Sequence, residues 1–225
     1  MNNWFPLVLF LSVAAPALAQ APAAPPAAAP APAAAPLKID FQSYSVGGVP
    51  DDLMVTDAEA KFTIVADGEN KMLEMNPSPL VDGGVLVGPS IKGPVTITAR
   101  IKAAGKRRSH PRFGVGLHGV GGFRCLVVPA LKELQIVRDD AVVAQLPYAW
   151  KSGTWTVVEF SVLAAKDGGS TLEARAWEDG QPRPGAPLLT FAVKTPPATG
   201  KASLWAAPYA ELPIAFDDVA IVPNP

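Results

Sequence analysis

The chain of 225 residues sets 19 Lys and Arg against 20 Asp and Glu, a formal net charge of −1 at pH 7. That near-neutrality argues against a general nucleic-acid or membrane-surface role, which needs a strongly basic domain. Cys125 is the only cysteine, so no intrachain disulfide forms; on the apolar side of an expected strand it reads as a buried structural thiol.

Residues 1–19 read as a secretory signal peptide: residues 4–15 are mostly apolar, and Ala17-Leu18-Ala19 before Gln20 is a small-residue cleavage site. The first four residues lack Lys and Arg, and a membrane anchor is the rival reading. The apolar run, interrupted by Pro6 and Pro16, is shorter than the roughly 18 residues a spanning helix needs. Residues 20–36 hold one Gln, ten Ala and six Pro, the composition of an extended tether with no core of its own. Residues 37–225 are then one domain, large enough for a sizeable core. These readings predict a secreted or periplasmic protein with no transmembrane segment after cleavage.

Within that domain, short runs rich in Val, Leu, Ile, Phe and Trp alternate with tight-turn residues, the pattern of antiparallel strands joined by hairpins. In chain order the expected strands cover residues 37–44, 61–66, 71–75, 84–88 and 95–102. A central meander follows. Phe113, Val115 and Leu117 share one face opposite Gly114, Gly116 and His118, and after Gly119, Gly121 and Gly122 the apolar face resumes with Phe123, Cys125 and Val127. Strands at 133–138 and 142–146 flank a turn at Asp139-Asp140. The run 155–163 puts Thr156, Val158, Phe160 and Val162 opposite Glu159 and Ser161. Further strands cover 171–178, 188–193, 201–206 and 214–222. Turns at intervals of about 8 to 12 residues predict an all-β, two-sheet antiparallel β-sandwich.

Three local patterns resemble the concanavalin A-like lectin/glucanase superfamily, the jelly roll shared by laminin G-like domains and legume lectins. They are Trp155-Thr-Val-Val-Glu-Phe-Ser-Val after a Gly turn, Leu172-Glu-Ala-Arg-Ala-Trp177-Glu-Asp-Gly180, and Gly200-Lys-Ala-Ser-Leu-Trp205 leading to Phe216-Asp217-Asp218-Val219. The resemblance spans most of residues 37–222 and is architectural. It implies a module that handles glycans, but the superfamily holds hydrolases, lectins and adhesion modules alike.

Glucanases resembling this fold carry their carboxylates as Glu-x-Asp-x-x-Glu. The nearest stretch here is Glu173-Ala-Arg175-Ala-Trp177-Glu178, where Arg replaces the middle Asp and puts a cation beside the would-be nucleophile. This is expected to be a solvated strand face with a Glu–Arg pair. His110 and His118 have no zinc-like spacing, and no nucleophile elbow or phosphate loop is present. The stretch 102–112 packs five Lys or Arg and one His into eleven positions, a positive patch suited to carboxylates, sulfates or phosphates. Platforms for sugar rings are offered by Trp177, beside Glu173 and Arg175, and by Tyr148, Trp150, Trp205 and Tyr209 near turns. The resemblance also implies that calcium could tie the first strand to the last through Asp40 and Asp217 or Asp218; otherwise no cofactor is expected.

The expectation is a non-catalytic binding module for a carbohydrate or cell-envelope polymer, its ligand residues drawn from Glu173, Arg175, Trp177, His118, Arg107 and Arg108. A hydrolase acting on glycosides or modified sugars, and an adhesion module with a protein partner, stand as alternatives.

Overall fold

The structure, a computed structural model, describes Met1 and residues 35–224 apart from Pro79. The expected signal peptide beyond Met1, and the tether as far as residue 34, lie outside the described residues.

Among these, fifteen strands form: β1 Leu37–Ile39, β2 Met54–Val55, β3 Phe62–Asp67, β4 Asn70–Met75, β5 Gly83–Ile91, β6 Val95–Lys102, β7 Arg112–Leu117 and β8 Phe123–Val128. The chain continues through β9 Glu133–Arg138, β10 Ala141–Pro147, β11 Trp155–Ala164, β12 Ser170–Glu178, β13 Leu189–Val193, β14 Gly200–Ala207 and β15 Ile214–Pro223. They build two antiparallel sheets. The eight-stranded sheet runs β13-β12-β11-β6-β15-β4-β3 with β1 also on β15, and the seven-stranded sheet runs β10-β9-β8-β7-β14-β5-β2.

Period-two patterning decides which face each strand buries. Val95, Ile97, Ala99 and Ile101 of β6 and Val158, Phe160 and Val162 of β11 meet Phe113, Val115 and Leu117 of β7 and Phe123, Cys125 and Val127 of β8 in one core. Each fully buried side chain of this size contributes about 1.5–3 kcal/mol. Cys125 sits inside that core as a free thiol whose pKa is pushed well up by burial. The turn between β9 and β10 has left-handed backbone at both Asp139 (φ 47°) and Asp140 (φ 62°), which matches the right-handed twist of a two-residue hairpin.

Two features depart from expectation. The first strand ends at Ile39 because Phe41 adopts φ 60° and drops fully into the core, so residues 40–43 turn instead of extending to Tyr44. The two-residue β2 is an added edge strand, pairing Met54 with Leu86 and Val55 with Val85.

On the seven-stranded sheet, Trp205 of β14 stands between Gly84 of β5 and Gly114 of β7, its register partners. A Cβ on Gly114 would run into the Cys125 carbonyl, whereas one on Gly121 meets open space. Gly114→Ala is therefore expected to cost about 1–3 kcal/mol, and Gly121→Ala under about 0.5 kcal/mol, as read from urea unfolding midpoints.

Candidate functional site

Glu173, Arg175 and Trp177 do share the outward face of β12, but Arg175 is not solvated. Register places it opposite Glu159 of β11. Its Nη1 lies 3.0 Å from Glu159 Oε1 and 3.2 Å from Glu173 Oε2. From the loop 179–188, Arg183 donates to the same Glu159 carboxylate, with Nε 2.7 Å from Oε2 and Nη2 2.6 Å from Oε1. The solvated pair is thus corrected to a network of two arginines and two glutamates whose centre, Arg175 with Glu159, is buried at 8% side-chain exposure each. Trp177 is partly buried beside Val157. Pairing of β11 with β12 runs without a register shift from Ser170 to Glu178, so Glu173 and Glu178 fall on opposite faces of the strand. Glu178 is engaged by Lys151 at 2.9 Å.

The calcium expectation also needs correction. Asp217 is buried, accepts from Asn70 Nδ2 at 3.0 Å and from the Asp218 N–H at 2.8 Å, and lies 3.7 Å from Arg100 Nη1. Burial pushes its carboxyl up, against these three stabilising neighbours. Asp218 meets the same Arg100 at 2.6 Å, while Asp40 is exposed and accepts from the Gln42 N–H at 3.1 Å. A guanidinium already stands where the cation would, and among the described residues no group of three or more His, Cys, Asp or Glu is placed to hold a metal ion. The donors do not fit calcium.

His118 is the last outward residue expected on β7, but it turns out of the strand at φ 66° and is only 6% exposed. Neither ring nitrogen has a hydrogen-bond partner of ordinary geometry. Burial lowers its pKa, against a weaker opposing pull from the Ala198 and Ile91 backbone. Trp205 is closed off too: its Nε1 donates to Ser203 Oγ at 2.8 Å and Arg124 stacks 3.7 Å from the ring centroid.

Open hollows border β1, of about 370 and 320 Å³, and another set lies at one loop end of the sandwich. There the chain crosses between sheets three times, through 103–111 from β6 to β7, 148–154 from β10 to β11 and 208–213 from β14 to β15, beside the β8–β9 turn 129–132. These loops are tied to one another. The Gly105 N–H donates to Ser152 Oγ at 2.8 Å, Gly153 N–H to Ala103 O at 2.9 Å, Tyr148 N–H to Lys132 O at 2.8 Å, and Lys106 Nζ to Glu211 Oε2 at 2.9 Å. Between them lies a cleft of about 410 Å³ lined by His110, Pro129, Lys132, Tyr148, Trp150 and Ser152. Trp150 packs edge-on to Phe113 with ring centroids 5.8 Å apart. Its Nε1 and the His110 Nδ1 are buried with no partner. Burial pushes the Tyr148 phenol up to about 12 and keeps it a donor. The tip of 103–111 carries Lys106, Arg107 and Arg108 around a second hollow of about 440 Å³. Tyr209 is 45% exposed at the same end. Of the residues expected at a ligand, Arg107 and Arg108 stand here, as do Tyr148, Trp150 and Tyr209 among the expected sugar-ring platforms, whereas Glu173, Arg175, Trp177 and His118 do not. His110 was legible only as part of a basic stretch, and its meeting with Tyr148 and Trp150 depends on three loops far apart in sequence.

Two measurements check the closed elements. Removing Arg175 as Arg175→Met takes the buried partner from Glu159, which keeps Arg183, and is expected to cost about 1.5–3 kcal/mol, while Arg183→Met, at a half-exposed partner, costs about 1 kcal/mol or less; urea unfolding separates the two. Because unfolding frees the buried neutral His118 to take up a proton, its contribution is present above about pH 6.5 and is lost as pH falls through the lowered folded pKa. His118→Asn, which tolerates left-handed backbone, should flatten the decline in stability measured between about pH 7.5 and about pH 5.

Neither a scan against protein-family models nor a search of curated proteins finds a match to this chain. Solved structures do match its fold. A carbohydrate-binding module from Bacillus subtilis aligns at TM-score 0.54 and 12% identity over 76% of this chain and 95% of that one. Lectin II from Ulex europaeus aligns at 0.53 and 10% over 84% and 99%, and a native glycosidic hydrolase at 0.53 and 10% over 84% and 96%. At these identities the likeness is one of fold alone: the chain adopts an all-β, two-sheet jelly-roll sandwich.

Proposed function

We propose that this chain is an exported, non-catalytic module that binds a carbohydrate or cell-envelope polymer at the loop end of the sandwich. The observation that carries the reading is the cleft of about 410 Å³ with Tyr148 and Trp150 in its lining, a volume within the range of about 300–1,000 Å³ usual for small-molecule sites. Partly buried aromatic rings with polar tips suit a sugar, which has apolar C–H faces and hydroxyl edges. Lys132, Ser152 and His110 supply polar groups beside them, and loops cross-tied by hydrogen bonds make the site pre-formed. The fold neighbours that are themselves a carbohydrate-binding module and a lectin support the same class of ligand. Export rests on the leader-like first 19 residues and the Ala/Pro tether.

The non-catalytic part of the proposal rests on the carboxylates. Glycoside hydrolysis needs two carboxyl groups flanking one bond, one of them free to carry a proton. Here Glu173 and Glu159 are held by arginines and Glu178 lies on the other face. Arg175 stands between Glu173 and Glu159, with its Nη1 on both carboxylates.

The test is a glycan array spanning neutral, acidic and peptidoglycan-derived saccharides, probed with the full chain. Retention on at least one glycan class, reduced by Trp150→Ala, is the expected outcome. A blank array overturns the reading in favour of a protein partner. Turnover of any arrayed glycan that disappears in Glu173→Gln would replace the binding module with a hydrolase.

A further inference from the structure

Of the eight arginines in the chain, six face a carboxylate: Arg100, Arg112, Arg124, Arg138, Arg175 and Arg183 all make ion pairs. The two that make none among the described residues, Arg107 and Arg108, are neighbours at the tip of the loop 103–111, both exposed. Lys132, in the wall of the aromatic cleft, has no carboxylate partner either. In a chain of net charge −1, the guanidinium groups left without a counter-ion among the described residues are thus gathered at the loop end that holds the aromatic cleft. Arg107 (φ 58°) and Lys132 (φ 57°) also hold left-handed backbone, a conformation that costs a non-glycine residue about 1–2 kcal/mol and that tends to mark functional positions.

We infer that the ligand of this end is an acidic polysaccharide, one sugar ring lying against Tyr148 and Trp150 with its carboxylate or sulfate on Lys132, and the anions of neighbouring sugars on Arg107 and Arg108. The inference rests on the carbohydrate-binding reading and narrows its ligand class. Guanidinium groups match the planar oxygens of carboxylate and sulfate bidentately, and an arginine with no internal partner keeps that fork available. The loop 103–111 contributes to both hollows, His110 to the aromatic cleft and Lys106, Arg107 and Arg108 to the basic one. A polymer seated in the first is led over the second. Glu211 lines the basic hollow, and Lys106 already neutralises it at 2.9 Å, so the anion meets no uncompensated carboxylate in that hollow.

The experiment titrates the full chain with polygalacturonate, dextran sulfate, unmodified dextran and anionic phospholipid vesicles, by calorimetry at fixed ionic strength. Binding to polygalacturonate identifies the carboxylate as the anion read, and binding to dextran sulfate the sulfate; either supports the proposal when dextran and vesicles bind at least about tenfold more weakly. The double variant Arg107→Ala, Arg108→Ala is expected to weaken acidic-polymer binding about tenfold or more, the loss of a charge-assisted hydrogen bond or two. Its melting temperature should not move, since both side chains are exposed. Because Trp150 packs on Phe113, Trp150→Ala is read with its melting temperature, and Lys132→Ala provides a second probe of the cleft. Binding to neutral glycans alone, untouched by the double variant, overturns this inference and leaves the carbohydrate reading standing. No binding to any saccharide here or on the array removes both. Equal binding to vesicles and acidic polymers, insensitive to Lys132→Ala and Trp150→Ala, would show a non-specific charge contact and also overturns it.

Discussion

The structure depends on one constraint: two stacked sheets must each bury a face, and a strand delivers a face only by alternating. Phe113, Val115 and Leu117 on one sheet and Val158, Phe160 and Val162 on the other satisfy it directly. The alternate positions must then be settled without a second core. On the eight-stranded sheet they are settled by charge, with Arg175, Glu159, Glu173 and Arg183 cancelling one another and Arg100 holding Asp179, Asp217 and Asp218 under the Trp155 ring. On the seven-stranded sheet they are settled by packing, as Trp205 lies over Gly84 beneath Arg124 and joins Leu126, Val128 and Val137 in a small second cluster. Both sheet faces are therefore occupied with their own cohesion.

The same reasoning explains how the first and last strands are joined. Strand β15 pairs with β4 through Ile214–Phe216 and with β1 through Val219–Ile221, and the change of partner falls at the irregularity around Asp217 and Asp218. Such a break exposes backbone groups that need partners. Gln42, just after β1, donates to Asn70 Oδ1 at 2.6 Å; Asn70, at the start of β4, donates to Asp217; and Asp217 caps the Asp218 N–H. Arg100 closes the arrangement from β6. A clasp of side chains thus does the joining that an ion would otherwise do, and a positive guanidinium beside Asp217 and Asp218 leaves a divalent cation little to neutralise.

How far the sequence carried follows from where the information lies. Strand positions and the inward faces were legible because period-two alternation is local: the meander from Arg112 to Pro147 could be followed hairpin by hairpin, down to the Asp139-Asp140 turn, although the crossover that takes the chain from β10 to β11 on the other sheet was not. The early end of β1 was not, because nothing in Leu-Lys-Ile-Asp-Phe says that Phe41 will take φ 60° to reach the core. The network on β12 was half legible. Glu173 and Arg175 share a strand, whereas Glu159 comes from β11 and Arg183 from a Pro-rich loop without periodicity. The cleft was the least legible of all, since His110, Lys132 and Trp150 come from three connections that only the sandwich topology brings to one end.

Topology also accounts for why chemistry collects there. A connection between sheets must span about 10 Å and runs over the surface, where loops carry function. Three of them, with the β8–β9 turn, close one end of this sandwich, and hydrogen bonds such as Gly105 to Ser152 and Gly153 to Ala103 lock them. Within a sheet face, an arginine has neighbouring strands from which a carboxylate can reach it; at the tip of 103–111, the ion pair formed among the described residues is Lys106 with Glu211. Arg107 and Arg108 make no ion pair among the described residues for the same geometric reason that the cleft beside them is open, and the proposal of an anionic ligand rests on that geometry.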